Sequence, residues 1–181
     1  MTKDEVKELV DSKKDKTYAR AIHEVYDELS GKETTKLACK SGCSFCCRQV
    51  VPTSRIEWNE IEKYIENNNL RDKILDKNLD NIKEWQIYLR DNWDEIVKNG
   101  QKPYNDWLGK KNCIFLGDEG ECSIHEVRPL SCRVVTSTST CTTFNNPDSM
   151  IFRYDYERHL MELIWETGHS MSVIDLFSGL K

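Results

Sequence analysis

Apolar residues return at helical intervals along most of this chain. Ala21, Ile22, Val25, Tyr26 and Leu29 recur at threes and fours and stop at Ser30-Gly31, which predicts an amphipathic helix ending there, because that spacing puts side chains on one face. Ser54 and Glu57 stand three apart, ahead of Trp58, Ile61 and Ile65. That is the capping-box signature of a helix start, and Asn67-Asn68-Asn69 breaks the pattern. Leu75, Leu79, Ile82, Leu89, Trp93 and Ile96 then predict one long amphipathic helix over about 70–97, closed by Asn99-Gly100. A last helical pattern over 147–167 carries Ile151, Tyr154, Arg158, Met161 and Trp165, with Asp148 as its candidate cap.

Residues 112–142 break this rhythm. Short apolar runs, CIFL and CSIH, flank the turn-rich GDEGE, and RPLSCR leads into VVTSTST. The flanked turn predicts a β-hairpin and the valine- and threonine-rich run a β-prone stretch. The expected fold is mainly α with a small β-hairpin, helices surrounding an irregular cysteine-rich metal-binding module. One domain, 1–181, is expected, with the module built from 37–52 and 112–142 and the scaffold from 3–31, 54–98 and 148–167. Neither an internal repeat of solenoid length nor a low-complexity linker interrupts it.

Composition narrows the function classes. Of 181 residues 31% are charged and 38% apolar, and the net charge is −5, so a basic nucleic-acid-binding stripe is not expected. No window approaches the roughly 18 apolar residues of a membrane span. The amino-terminal MTKDEVKELVDSKKDK lacks the apolar core of a secretory signal, and a cytoplasmic location is expected. In a reducing compartment eight cysteines read as metal ligands or catalytic groups rather than as disulfides.

Cys39, Cys43, Cys46 and Cys47 crowd into nine positions. On a helix they would share an arc of about 100°, although Gly42 favours a loop entering a helix. Thiolates that close repel one another unless protonated or bound to a cation, so metal is the natural occupant. Adjacent residues point in different directions. Cys46 and Cys47 therefore bind different irons of one cluster, serve two separate sites, or split into a ligand and a spare thiol. Cys113, Cys122, Cys132 and Cys141 are spaced nearly evenly, and loops of that length let each approach a common centre from its own direction. Eight thiols supply two complete four-coordinate sets.

CKSGCSFCC followed by CIFLGDEGECSIHEVRPLSCR resembles the CxxCxxCC cysteine-cluster family, described as zinc- or iron-chelating, and RPLSCR is the most specific part of the likeness. The first spacing departs from the family's short pattern, with three residues rather than two between Cys39 and Cys43. The resemblance implies that Cys39, Cys43, Cys46, Cys47, Cys113, Cys122, Cys132 and Cys141 are motif cysteines. It also links the chain to the cysteine-rich part of flagellin lysine-N-methylase, which is associated with an iron–sulfur cluster.

Arg128 and Arg133 flank Cys132 and are candidate cofactor-binding residues, since guanidinium donors lower the cost of burying an anionic cluster. Pro129 is expected to fix the turn that delivers Cys132. His125 is a candidate zinc ligand but reads more simply as a hydrogen-bonding surface residue; His23, His159 and His169 receive no role. Trp58, Trp85, Trp93, Trp107 and Trp165 read as core or helix-packing residues. The CxxxCxxC run at Cys39, Cys43 and Cys46 matches the spacing of radical S-adenosylmethionine enzymes, yet the alternating strands and helices of their barrel are missing, and the match reads as coincidental. No GxGxxG and no GxxxxGK occurs. Thiolate-only sites suit zinc and iron–sulfur clusters alike; the adjacent pair, the arginines and the methylase likeness favour [4Fe-4S] over zinc. A structural, redox or iron-sensing role with a protein or peptide partner is expected. The alternative is an iron–sulfur-dependent enzyme modifying a protein or peptide, by family likeness an S-adenosylmethionine-dependent protein lysine methyltransferase.

Overall fold

The computed structural model describes residues 1–40, 42–48, 51–99, 111–142, 149–168 and 171–179. Helices begin where the sequence offers side-chain caps. Thr2 and Glu5 form a capping box for α1 (Lys3–Ser12), and Thr17 caps α2 (Tyr18–Ser30). Ser54 and Glu57 make the expected capping box of α3 (Arg55–Asn67), and Asn69 adopts φ 53° before α4 (Arg71–Asn99). Short elements follow: α5 (Leu130–Arg133), α6 (Asp155–Trp165) and α7 (Val173–Phe177). Two small antiparallel sheets tie the chain together. One pairs β1 (Pro52–Thr53) with β4 (Met171–Ser172), the other β2 (Val135–Ser137) with β3 (Ser149–Ile151). The fold is mainly helical, as the periodicity predicts.

Burial divides into two apolar clusters. The first holds Val6 and Val10 of α1, Ile22 and Val25 of α2, Leu130 and Val134, and Leu160 and Ile164 of α6. The second gathers Trp58, Ile61 and Ile65 of α3, Ile74, Ile82, Trp85 and Leu89 of α4, Ile114, Phe115, Ile124 and Val127, and α7. Cys113, Cys122 and Cys132 pack against this second cluster. No helix among the described residues is long and apolar enough to cross a membrane.

Three expectations are corrected. The buried face of α4 is Ile74, Asn78, Ile82, Trp85 and Leu89, whereas Leu75, Leu79 and Trp93 are 39%, 42% and 57% exposed. The two stripes lie roughly 80° apart around the helix, and long-range partners choose between them. Asn78 Nδ2 donates to the Ile114 carbonyl at 2.9 Å and Trp85 Nε1 to Asp175 Oδ1 at 2.7 Å. Next, the pattern over 147–167 is not all helix. Val135 pairs with Ile151 in β3, Phe152 turns the chain with φ 60°, and the helix begins only at Asp155. Trp165 is half exposed; Asp148, Trp107 and His169 lie outside the described residues. Finally, the hairpin around GDEGE is a single bridge, Leu116 to Cys122, closed by the Gly117 N–H on the Glu121 carbonyl at 2.7 Å. VVTSTST contributes β2, as its β propensity predicts.

Candidate metal centre

The first cysteine run is a loop pinned at both ends. The Ala38 N–H donates to the Ser137 carbonyl at 2.8 Å, and the Cys113 N–H donates to the Cys47 carbonyl at 2.6 Å. Phe45–Arg48 forms one 3-10 turn bearing the adjacent cysteines. Gly42 sits at φ 81° and Gly120 at φ 83°. A Cβ on Gly120 would stand 2.9 Å from the Gly42 carbonyl oxygen, so the GDEGE turn lies directly against the loop. Both regions of the predicted module thus meet.

Cys113 and Cys122 each open a reverse turn rather than a strand. Leu116 N–H returns to the Cys113 carbonyl at 3.0 Å, and His125 N–H to the Cys122 carbonyl at 3.1 Å. In each turn the backbone amide two residues on (Phe115 or Ile124) offsets part of the upward push that burial gives the cysteine thiol. Ile114, Phe115 and Ile124 are buried and anchor the turns. The likeness of CIFL to CSIH is therefore a repeated device: the apolar residues enter the core and a cysteine stands at the head of the turn. The Phe115 and Ile124 amides favour the charged form of the thiol.

Cys132 rides on α5, whose N-terminus is held by Glu57, the capping-box residue of α3. Glu57 is 2% exposed. Its Oε2 accepts from the Ser54 N–H at 3.0 Å, the Ser54 hydroxyl at 3.1 Å and the Thr53 hydroxyl at 3.4 Å. Its Oε1 accepts from the Leu130 N–H at 2.7 Å and lies 3.0 Å from His23 Nε2. Burial pushes the Glu57 carboxyl up, but His23 and the Leu130 and Ser54 amides outweigh it and hold the group below its ordinary range. One carboxylate thus starts α3 and positions the turn bearing Cys132. The capping-box spacing signals one oxygen; nothing local signals the other, or His23.

All eight cysteines are free thiols. Burial pushes Cys113 up to about 12 and raises Cys122, Cys132 and Cys39. Cys46 is the exception: hydrogen-bonded by the Cys47 thiol and close to Arg128, it falls to about 6, while Cys47 rises. Cys46 lies within electrostatic reach of Cys113, Cys122 and Cys132. Among the described residues no three Cys, His, Asp or Glu side chains stand in ligating geometry, so holding a metal requires the sulfurs to close up. The donor chemistry fits: soft thiols and a nearby cation, Arg128.

The two arginines divide. The charge of Arg128 acts on Cys46, Cys122 and Cys132. Arg133 turns away, its Nη1 on Asp27 Oδ1 at 2.9 Å, its Nη2 on the Glu126 carbonyl at 2.9 Å and its Nε on the Arg128 carbonyl at 3.2 Å. His125 is exposed with its Nε2 against the Arg128 guanidinium. Pro129 receives the Cys132 N–H on its carbonyl at 2.9 Å. Two surface clefts, one between Leu29 and Tyr154–Tyr156 and one along Lys83–Arg90 of α4, include no cysteine in their linings.

A family model, CxxCxxCC, whose description reads "Putative zinc- or iron-chelating domain", matches residues 38–152. Searches of curated proteins and of solved structures returned no match. The matched stretch covers more than half the chain and contains every one of its cysteines. This chain belongs to the CxxCxxCC family of zinc- or iron-chelating domains.

Proposed function

We propose that the chain holds a [4Fe-4S] cluster on Cys46, Cys113, Cys122 and Cys132, with a structural or redox role toward a protein partner. The carrying observation is that the two cysteine segments meet against the core. Cys113, Cys122 and Cys132 pack on the second apolar cluster, the Cys113 N–H donates to the Cys47 carbonyl at 2.6 Å, and Cys46 lies within electrostatic reach of all three. Burial alone would keep these thiols protonated, and so many buried thiols in one place make sense where a metal takes the place of their protons. Arg128 supplies the positive charge that a buried anionic cluster needs. A bound cluster would supply one-electron chemistry or a covalent clamp; the chain's part is to present four thiolates and exclude water. Cys47 is a fifth sulfur, hydrogen-bonded to Cys46.

Anaerobic purification with iron and sulfide analysis tests the reading. A brown protein absorbing near 400 nm is expected, as is typical of such clusters. Cys46→Ser should abolish the colour and Cys47→Ser should not. A colourless protein with stoichiometric zinc would replace the cluster with a zinc site, and a protein that retains neither metal would overturn chelation altogether.

A further inference from the structure

The cleft between the end of α2 and the start of α6 has its own chemistry, apart from the cysteines. Its volume is about 380 Å³, a size that holds small ligands or single side chains, and its lining includes Leu29, Lys32, Glu33, Tyr154, Asp155 and Tyr156. An aromatic wall is built in advance. The rings of Tyr154 and Tyr156 stack with centroids 5.5 Å apart and planes 8° from parallel. Tyr154 is held at both ends: its hydroxyl donates to Thr35 Oγ1 at 2.7 Å and its N–H to Glu157 Oε2 at 3.0 Å. Tyr156 is only 6% exposed, and its hydroxyl is buried without a hydrogen-bond partner. A hydroxyl that has left water and gained nothing in return is destabilising, and folded proteins keep few of them. This one lies in a residue that lines a cleft, where a partner can come from outside.

The charges around the cleft select that partner. Glu33 and Asp155 are exposed acids set against one base, Lys32. Asp155 meets Arg158 of its own helix at 3.3 Å, an exposed pair that is worth little and exchanges readily. Burial, then Glu157 and Glu33, push the Tyr156 phenol up, so its oxygen sits in a negative field that favours an incoming cationic donor. A guanidinium meets each of these features. Its flat face stacks on an aromatic ring, its five N–H groups fork toward carboxylate and hydroxyl oxygens, and its methylenes lie along apolar surface such as Leu29. A compact ammonium supplies the charge without the stacking face. We propose that this cleft docks an arginine side chain of a partner protein, its guanidinium against the Tyr154–Tyr156 wall, paired with Glu33 and donating to the Tyr156 hydroxyl. The inference takes from the reading above only that a protein partner exists, and it draws nothing from the metal centre.

The test titrates isotope-labelled, metal-loaded full-length protein with capped Gly-Arg-Gly, Gly-Lys-Gly and Gly-citrulline-Gly, the last keeping the shape of arginine without its charge. Gly-Arg-Gly should shift the amides of 29–35 and 154–157 saturably, with the other two about tenfold weaker. Glu33→Gln, at an exposed position, should weaken Gly-Arg-Gly by about three- to tenfold, the worth of one hydrogen bond. Tyr156→Phe should weaken it similarly and leave the Tm unchanged or raised, because it removes an unpaired buried hydroxyl. A Tm that falls while peptide binding stays constant would give that hydroxyl to the fold and overturn its part in the site. Equal binding of the citrulline peptide overturns the cationic reading, equal binding of the lysine peptide overturns the guanidinium assignment, and no saturable shift at millimolar peptide overturns the cleft as a site. Iron, sulfide and zinc analysis of the same samples reads the metal centre separately: protein that holds no metal yet binds Gly-Arg-Gly at 29–35 and 154–157 refutes chelation and leaves the cleft standing.

Discussion

Replacing Glu57 by Gln keeps the shape and removes the charge at a residue that is 2% exposed. The amide has one acceptor oxygen where the carboxylate has two. If its NH₂ faces Ser54 and Thr53, the hydroxyls can rotate to accept but the Ser54 N–H, now 3.0 Å from Oε2, loses its partner. If it faces the other way, the Leu130 N–H at 2.7 Å is orphaned, even though His23 can change tautomer. A buried N–H without a partner costs about 1–3 kcal/mol, and the surviving bonds lose their charge assistance, so a total near 3 kcal/mol is expected. Urea denaturation of metal-loaded protein at pH 7, followed by far-UV dichroism, reads this directly. The pH dependence supplies a second check. The Glu57 carboxyl is lowered on folding from its ordinary 4.5. Its contribution is therefore fully present above that pH and is lost as pH falls through the lowered native value. The gap between wild type and variant should shrink as pH falls below 4.5. A gap under about 0.5 kcal/mol at pH 7, the size of an ordinary surface substitution, would refute the reasoning; so would a gap indifferent to acid.

Gly120→Ala places a Cβ 2.9 Å from the Gly42 carbonyl at a backbone with φ 83°. A loss of about 1–2 kcal/mol is expected from the left-handed backbone alone, read as a lower Tm together with faster amide exchange in both 39–48 and 113–122; exchange confined to one segment would contradict their direct packing. Arg128→Gln and Arg133→Gln should separate. The first removes the charge that acts on Cys46, Cys122 and Cys132, and should weaken metal retention at chelator challenge with little change in fold. The second leaves the Glu126 and Arg128 carbonyls without their donor and should cost about 1–3 kcal/mol of stability. Identical effects of the two on metal retention would show that the guanidinium positions do not matter as described.

Much of the scaffold is legible along the chain because its causes are local. Ser54 with Glu57, and the spacing of Trp58, Ile61 and Ile65, act within a few residues, and α3 forms where they predict. The long α4 is likewise written in its own periodicity, and the crowding of Cys39 to Cys47 announces chelation before any folding is considered. Tertiary structure decided what local pattern leaves degenerate. Helix α4 carries two apolar stripes, and the burial of Trp85 rather than Trp93 was settled by Ile114 and Asp175, which lie tens of residues away. Residues 149–151 became a strand because β2 was there to pair with them. The second oxygen of Glu57 found an amide 73 residues on, and the Cys39 sulfur found the Ser137 amide 98 residues on. A helix needs only its neighbours in sequence to form, whereas a buried face, a strand pairing or a sulfur cluster depends on which distant surface arrives.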